Sequence, residues 1–288
     1  MKKAHLVGEN HLFCAFVFLL CLGWAAAAAG HSLFIQSSRY HVHEGKSSPL
    51  FFCYGHHIPV DDGIRPDKLK TVSVHSPSGK ISPIALRDET CLHSYMVDYT
   101  EKGTYVLTAV TNPGYYTVYI DKKGRERHTI KPKSQIMENA DKILKSLHSS
   151  QYTKTYVVCS SPSETFPAQV GLPLELVPDK DISSLKAGEI LALTVYFKGK
   201  PYTGQGTWDA TVSGFSTEAE NNFYEKTRVK GSSVRIPIPE PGRWFVRYFI
   251  KTDAPDEDQK LCNQMKQTAS LVFEIKKQGT PVKAGILQ

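Results

Sequence analysis

Beyond its first thirty residues the chain has no apolar run approaching the roughly 20 residues that a membrane-spanning helix needs. It also lacks any CxxC spacing, which leaves thiolate metal sites without support. No GxSxG elbow, HExxH helix, GxxxxGK[ST] loop or GxGxxG following a strand occurs, so no enzyme class is indicated and the chain is read as a non-enzyme. The net charge is +7, yet its lysines are dispersed and no basic block is interleaved with aromatics. That pattern argues against a nucleic-acid partner. The paired acids Asp61-Asp62 and Asp88-Glu89 read as surface carboxylates in turns, because a general acid/base pair needs a tuned cleft. Histidine is missing from the whole C-terminal half: none of the 11 lies beyond residue 148.

What is present begins with an export signal. Lys2 and Lys3 form a positive start, residues 12–24 are apolar, and Ala25 to Ala29 with Gly30 supply the small residues of a cleavage site. Residues 1–30 are therefore expected to be a signal peptide, cut after Ala29 or Gly30, with no stable membrane insertion afterwards and a periplasmic destination. No lipobox cysteine stands at the cut. Of the 6 cysteines, Cys53, Cys91, Cys159 and Cys262 remain after cleavage. In an oxidising compartment an even number favours disulfides. Three pairings are open, and Cys53 with Cys91 and Cys159 with Cys262 are preferred.

The remaining chain reads as mainly β: two immunoglobulin-like or transthyretin-like β-sandwich domains with one connecting α-helix. Residues 31–131 form the N-terminal His-rich sandwich, with strands expected over 32–37, 49–54, 70–75, 80–86, 103–110 and 115–120. These are rich in Tyr, Thr and Val or alternate in polarity, and turn signals such as Asn112-Pro113-Gly114 break them. In residues 132–165, the helix and linker, Ile136, Ala140, Ile143, Leu144 and Leu147 fall at helical spacing with Ser134 as a cap, which predicts an amphipathic helix over 134–148. Residues 166–277 return to strands at 190–197, 208–212, 233–238, 243–250 and 270–275, with a turn at Lys198-Gly199-Lys200-Pro201. Residues 278–288 read as a flexible tail.

The histidines carry the most information. A neutral imidazole suits nickel, cobalt, copper and zinc. His41-Val42-His43 on a strand places two imidazoles on one face. Gly55-His56-His57 sits at a strand end, where a loop can offer side chains. His31 stands at or next to the new N-terminus, so a freed α-amine and its imidazole could chelate one ion once the amine, which titrates near pH 8, loses its proton. His93, beside Cys91, is either core or ligand. His75, His128 and His148 read as surface residues. The expected metal set is His31, His56 and His57, completed by His41, His43 or His93.

The run from His31 through Phe51-Phe52-Cys53-Tyr54-Gly55-His56-His57-Ile58-Pro59-Val60-Asp61-Asp62-Gly63 resembles a family of exported bacterial proteins of unknown function. Its members are often labelled as nickel-transport-complex subunits, or as periplasmic accessory components of nickel/cobalt uptake systems. The strand Gly103-Thr104-Tyr105-Val106-Leu107, the turn Gly199-Lys200-Pro201 and Pro241-Gly242-Arg243-Trp244 extend the resemblance over nearly all of the mature chain. It implies β-sandwich modules and a metal-uptake setting. The expected function is an extracytoplasmic nickel- or cobalt-binding accessory protein that passes its ion to an integral membrane permease, with copper and zinc as alternative ions. The rival is a metal-independent adhesion or carbohydrate-binding module, for which Tyr115-Tyr116 and Trp244 with Tyr248 would be the aromatic platform.

Overall fold

Side chains that suit a pleated surface fill almost every segment of the computed structural model, which describes residues 31–87 and 93–277. Among them there are eighteen strands, three short 3-10 turns and no α-helix. Residues 1–30, expected to be a signal peptide, the Asp88-Glu89 pair, Cys91 and residues 278–288, expected to be a tail, lie outside the described residues. No described helix is long and apolar enough to cross a membrane.

The N-terminal strands are β1 (Ser32–Ser37), β2 (His41–Val42), β3 (Lys46–Gly55), β4 (Leu69–His75), β5 (Ile81–Pro83), β6 (His93–Tyr99), β7 (Gly103–Thr111), β8 (Gly114–Asp121) and β9 (Glu126–Thr129). The long β10 (Ala140–Cys159) follows, then β11 (Leu174–Pro178), β12 (Ile190–Phe197), β13 (Lys200–Pro201), β14 (Gln205–Val212), β15 (Tyr224–Lys230), β16 (Ser233–Pro237), β17 (Gly242–Asp253) and β18 (Gln264–Ile275). The expected turn after β12 is a two-residue hairpin loop: Lys198 and Gly199 have φ of 51° and 76°, and Phe197 pairs with Lys200. Two successive positive φ values match the twist of the flanking strands, and glycine accepts one of them without a Cβ clash.

These strands build three sheets. An 11-stranded sheet runs β15-β14-β17-β18-β10-β7-β4-β5, with β2 and β8 on β10 and β9 on β8. A three-stranded sheet, β1-β3-β6, is buried on both faces along β1, while its edge strand β6 leaves Ser94, Tyr95, Met96 and Asp98 exposed. Leu33, Ile35, Leu50 and Phe52 pack with Val72, Tyr105, Leu107 and Val157, whereas Phe34 and Cys53 pack with Phe245 and Val272. A third sheet, β11-β12-β13 with β16, closes a separate core around Leu176, Leu193, Trp244, Tyr248 and Leu271.

Two expectations are corrected here. The helix over 134–148 does not form: a 3-10 turn at Lys133–Gln135 leads into β10. Its pairing with β8 slips between Ala140 and Lys142 and again between Ile143 and Lys145. Each bulge adds a residue to one strand, so the two-residue period of a strand becomes a spacing that imitates a helix. The division into two sandwiches with a linker at 132–165 is not supported either. That stretch supplies β10, which pairs with β7 from the first half and, in parallel, with β18 from the last, and the described residues form one contact unit.

The pairing of Cys159 with Cys262 is corrected as well, while that of Cys53 with Cys91 lies outside the described residues. Cys53, Cys159 and Cys262 are buried and free, and no disulfide joins the described cysteines. The Asn263 N–H donates to the Ser146 carbonyl, which sets Cys262 beside the start of β10, whereas Cys159 ends that strand. At about 3.3 Å per residue the two are on the order of 40 Å apart along it, far beyond disulfide reach.

Candidate histidine site

The end of β3 makes the site. Gly55 pairs with Ser32 of β1, so His31 and His56 leave adjacent strands side by side. Their ring centroids are 4.8 Å apart, and His31 also stacks on Tyr54 at 5.3 Å. Two imidazoles on one ion, each with a metal–nitrogen bond of about 2 Å, can have such a separation. The carbonyl of His31 accepts from Gln151 Nε2 at 2.9 Å, and the N–H of Leu33, two residues on, donates to Gln151 Oε1 at 2.6 Å. Gln151, buried on β10, thereby fixes the chain where it enters the fold.

Asp61 closes the 55–62 loop. Its carboxylate accepts from the backbone N–H of His56, and from that of His57 at 2.8 Å, while His57 Nδ1 lies 3.0 Å from Asp61 Oδ2. Burial raises the Asp61 pKa, but the N–H groups of His56, His57 and Asp62 outweigh it and hold the carboxyl below its usual range. Gly55 is required at this point, since a Cβ there would collide with the Asp61 carboxylate. Asp61 is therefore a loop organiser and not the idle surface acid its sequence context suggested.

Across the site stands a charged group from the C-terminal half. Glu220 Oε1 lies 2.7 Å from His56 Nδ1, and its Oε2 lies 2.9 Å from Arg247 Nη2 and 2.7 Å from Lys226 Nζ. Arg247 is buried on β17; its Nε and Nη2 reach Asp209 at 3.0 and 2.7 Å, and its Nη1 reaches Ser32 Oγ at 3.0 Å. Burial opposes ionisation of Glu220, yet Arg247 first, then Lys226 and His56, keep its carboxyl well below the ordinary range. Burial raises the Asp209 pKa, with Arg247 partly offsetting it. Burial also lowers the Arg247 pKa, but Glu220 and Asp209 more than restore it, so the guanidinium stays charged. His31 is shifted down, by partial desolvation first and then by His56. The pocket between His56, Glu220, Phe34 and Phe245 has room for about one water molecule.

The structure brings together His31 and His56, with His57 next in the chain and turned onto Asp61. The other three candidate ligands lie elsewhere. His41 and His43 are both exposed with Val42 buried between them, as alternation requires, but His41 pairs with Val158, seven residues along β10 from Gln151. His93 is buried on β6 opposite Phe52. Among the described residues no three His, Cys, Asp or Glu side chains are close enough to hold one ion. His75 is half-buried, with its pKa lowered chiefly by burial, and not a plain surface residue. His128 bonds Tyr116 Oη at 2.6 Å, and His148 stacks on Tyr115 at 4.5 Å. Glu220, Arg247 and Asp209 were not singled out from the sequence, because they lie in a half without histidine and over 150 residues from His56.

The fold and site define a mainly β protein of packed sheets with two histidines juxtaposed where its first strand begins. The chain belongs to the family described as Domain of unknown function (DUF4198), whose profile matches residues 28–252. That description carries no nickel label. No curated protein matches the chain in sequence. Similar solved structures include the elastase-activated alpha-2-macroglobulin of Escherichia coli, 11% identical, covering 85% of this chain and 20% of that one at a TM-score of 0.22. The fibronectin(III)-like modules of Clostridium thermocellum CbhA are 11% identical, covering 86% and 100% at 0.18. The mouse nectin-like molecule 4 ectodomain is 12% identical, covering 88% and 67% at 0.21. The chain spans a fifth or less of the alpha-2-macroglobulins it matches. Likenesses at these scores carry no argument about function.

Proposed function

We propose that this is an exported periplasmic protein that binds a transition-metal ion, nickel or cobalt, and hands it to an integral membrane permease. The observation that carries the reading is the 4.8 Å approach of the His31 and His56 rings at the start of the first strand. Two imidazoles are an incomplete set, and cleavage after Gly30 would add the α-amine of His31 as a third nitrogen donor. Copper would bind such a nitrogen set more tightly than nickel or cobalt on chemistry alone, so metal supply and the permease would decide the cargo. The adhesion reading loses half of its platform, because Trp244 and Tyr248 are fully buried.

The test is calorimetric titration of the mature, tag-free protein with nickel, cobalt, copper and zinc. One equivalent is expected to bind, with affinity falling between about pH 7 and 5 as the imidazoles protonate. His56→Ala and His31→Ala each remove high-affinity binding, and His41→Ala and His43→Ala do not. Parent-like nickel and cobalt affinity in His56→Ala would refute the site.

A further inference from the structure

We infer that Glu220 is a positioning residue that fixes the tautomer of His56, holding the proton on Nδ1 and leaving the Nε2 lone pair for the ion. The inference rests on the metal-binding reading of His31 and His56.

A carboxylate can only accept hydrogen bonds. With Glu220 Oε1 2.7 Å from His56 Nδ1, that nitrogen must be the donor. A histidine in water prefers the opposite tautomer, with the proton on Nε2, so an unassisted His56 would offer the wrong nitrogen. Metal-binding histidines commonly donate their second ring N–H to a carboxylate, which fixes ring orientation and strengthens the donor. Glu220 is well placed for this. It sits in the loop between β14 and β15 with φ of 61°, a conformation that a residue other than glycine adopts only where its surroundings impose it. Arg247 and Lys226 supply what imposes it, holding both carboxylate oxygens.

The same guanidinium also serves His31. Arg247 Nη1 reaches Ser32 Oγ, on the residue after His31, while its other contacts hold Glu220 against His56. Asp209 fixes Arg247 from the neighbouring strand through three hydrogen bonds. Both imidazoles are therefore indexed to one buried cation from the half of the chain that has no histidine.

The experiment is nitrogen-15 NMR of the imidazoles in the metal-free, mature protein, paired with nickel titration. Asparagine tolerates the left-handed backbone but is one methylene too short to reach His56, so Glu220→Asn removes the contact and keeps the loop. Glu220→Gln keeps an acceptor oxygen at the same reach. The parent is expected to show His56 protonated on Nδ1. Glu220→Asn should shift the ring toward Nε2–H and weaken nickel binding about 10- to 100-fold, and Glu220→Gln should retain the parent tautomer. A parent ring protonated on Nε2, or a His56 tautomer that Glu220→Asn leaves unchanged, would overturn the inference. If the tautomer follows Glu220 and the parent binds no nickel or cobalt, the positioning role stands and the metal reading falls.

Discussion

Arg247 shows how one residue can hold a site together without facing the solvent. Its charge is matched by Asp209, which is fully buried, and by Glu220. Replacing it with methionine preserves much of the volume but leaves Asp209 without its counter-charge. Breaking a buried pair in this way costs about 3–5 kcal/mol. The pKa of Asp209 is already raised by burial, and without Arg247 it rises further. An acid whose folded pKa is raised favours folding below its unfolded value and loses that contribution as the pH rises through the folded value. The penalty in Arg247→Met should thus be large at neutral pH and shrink on acidification toward about pH 4. Urea unfolding of parent and variant at pH 7 and 4 checks this, and equal losses at both would contradict it. At this scale the sequence was informative where chemistry clusters locally: His31 and the His56-His57 loop stand out unaided. It was silent on Glu220 and Asp209, which become part of the site only through pairing between distant strands.

Among the elements, β10 accounts for most of what was misread and much of what holds. Strands such as 32–37 and 190–197 were legible because each is a short, largely apolar run of strand length bounded by polar or turn residues. The first half of β10 was not, since two bulges break its alternation. Farther along, Lys154 and Glu175 of β11 form a buried ion pair at 2.6 Å. Glu175 also accepts from the N–H groups of Val170, Gly171 and Leu172, and Lys154 Nζ donates to the Ala168 carbonyl, so the pair ties the 168–172 segment onto the core. Burial pushes the Lys154 pKa down to about 8 despite Glu175. Lys154→Ala should cost about 3–5 kcal/mol, because Glu175 is left charged in an apolar setting. The double variant Lys154→Met with Glu175→Gln should recover part of that loss. Guanidinium unfolding measures both, and a double variant less stable than the single would argue against the pair as the cause.

For the whole molecule, the shared sheet implies one cooperative unit instead of two modules in series. Residues 31–165 and 166–277 made separately should each fail to fold, and 31–277 should unfold in a single calorimetric transition. Two resolved transitions would restore the tandem picture. Mainly β character and the sandwich-like packing could be read from strand composition, but the domain count could not, because nothing local to residues 132–165 reveals that their partners lie at both ends of the chain. The seating of β1 has a consequence for biogenesis. Its Leu33 carbonyl accepts from Ser270 Oγ of the last strand, 237 residues away, and Ser32 waits on Arg247 of β17. A polypeptide threaded across a membrane from its amino end would present His31 first and complete its surroundings last. On the export and metal-binding reading proposed above, β1 and β3 could bring the two histidines together early, but Glu220 and Arg247 would join them only once β17 had crossed, so a fully supported site would mark the end of translocation.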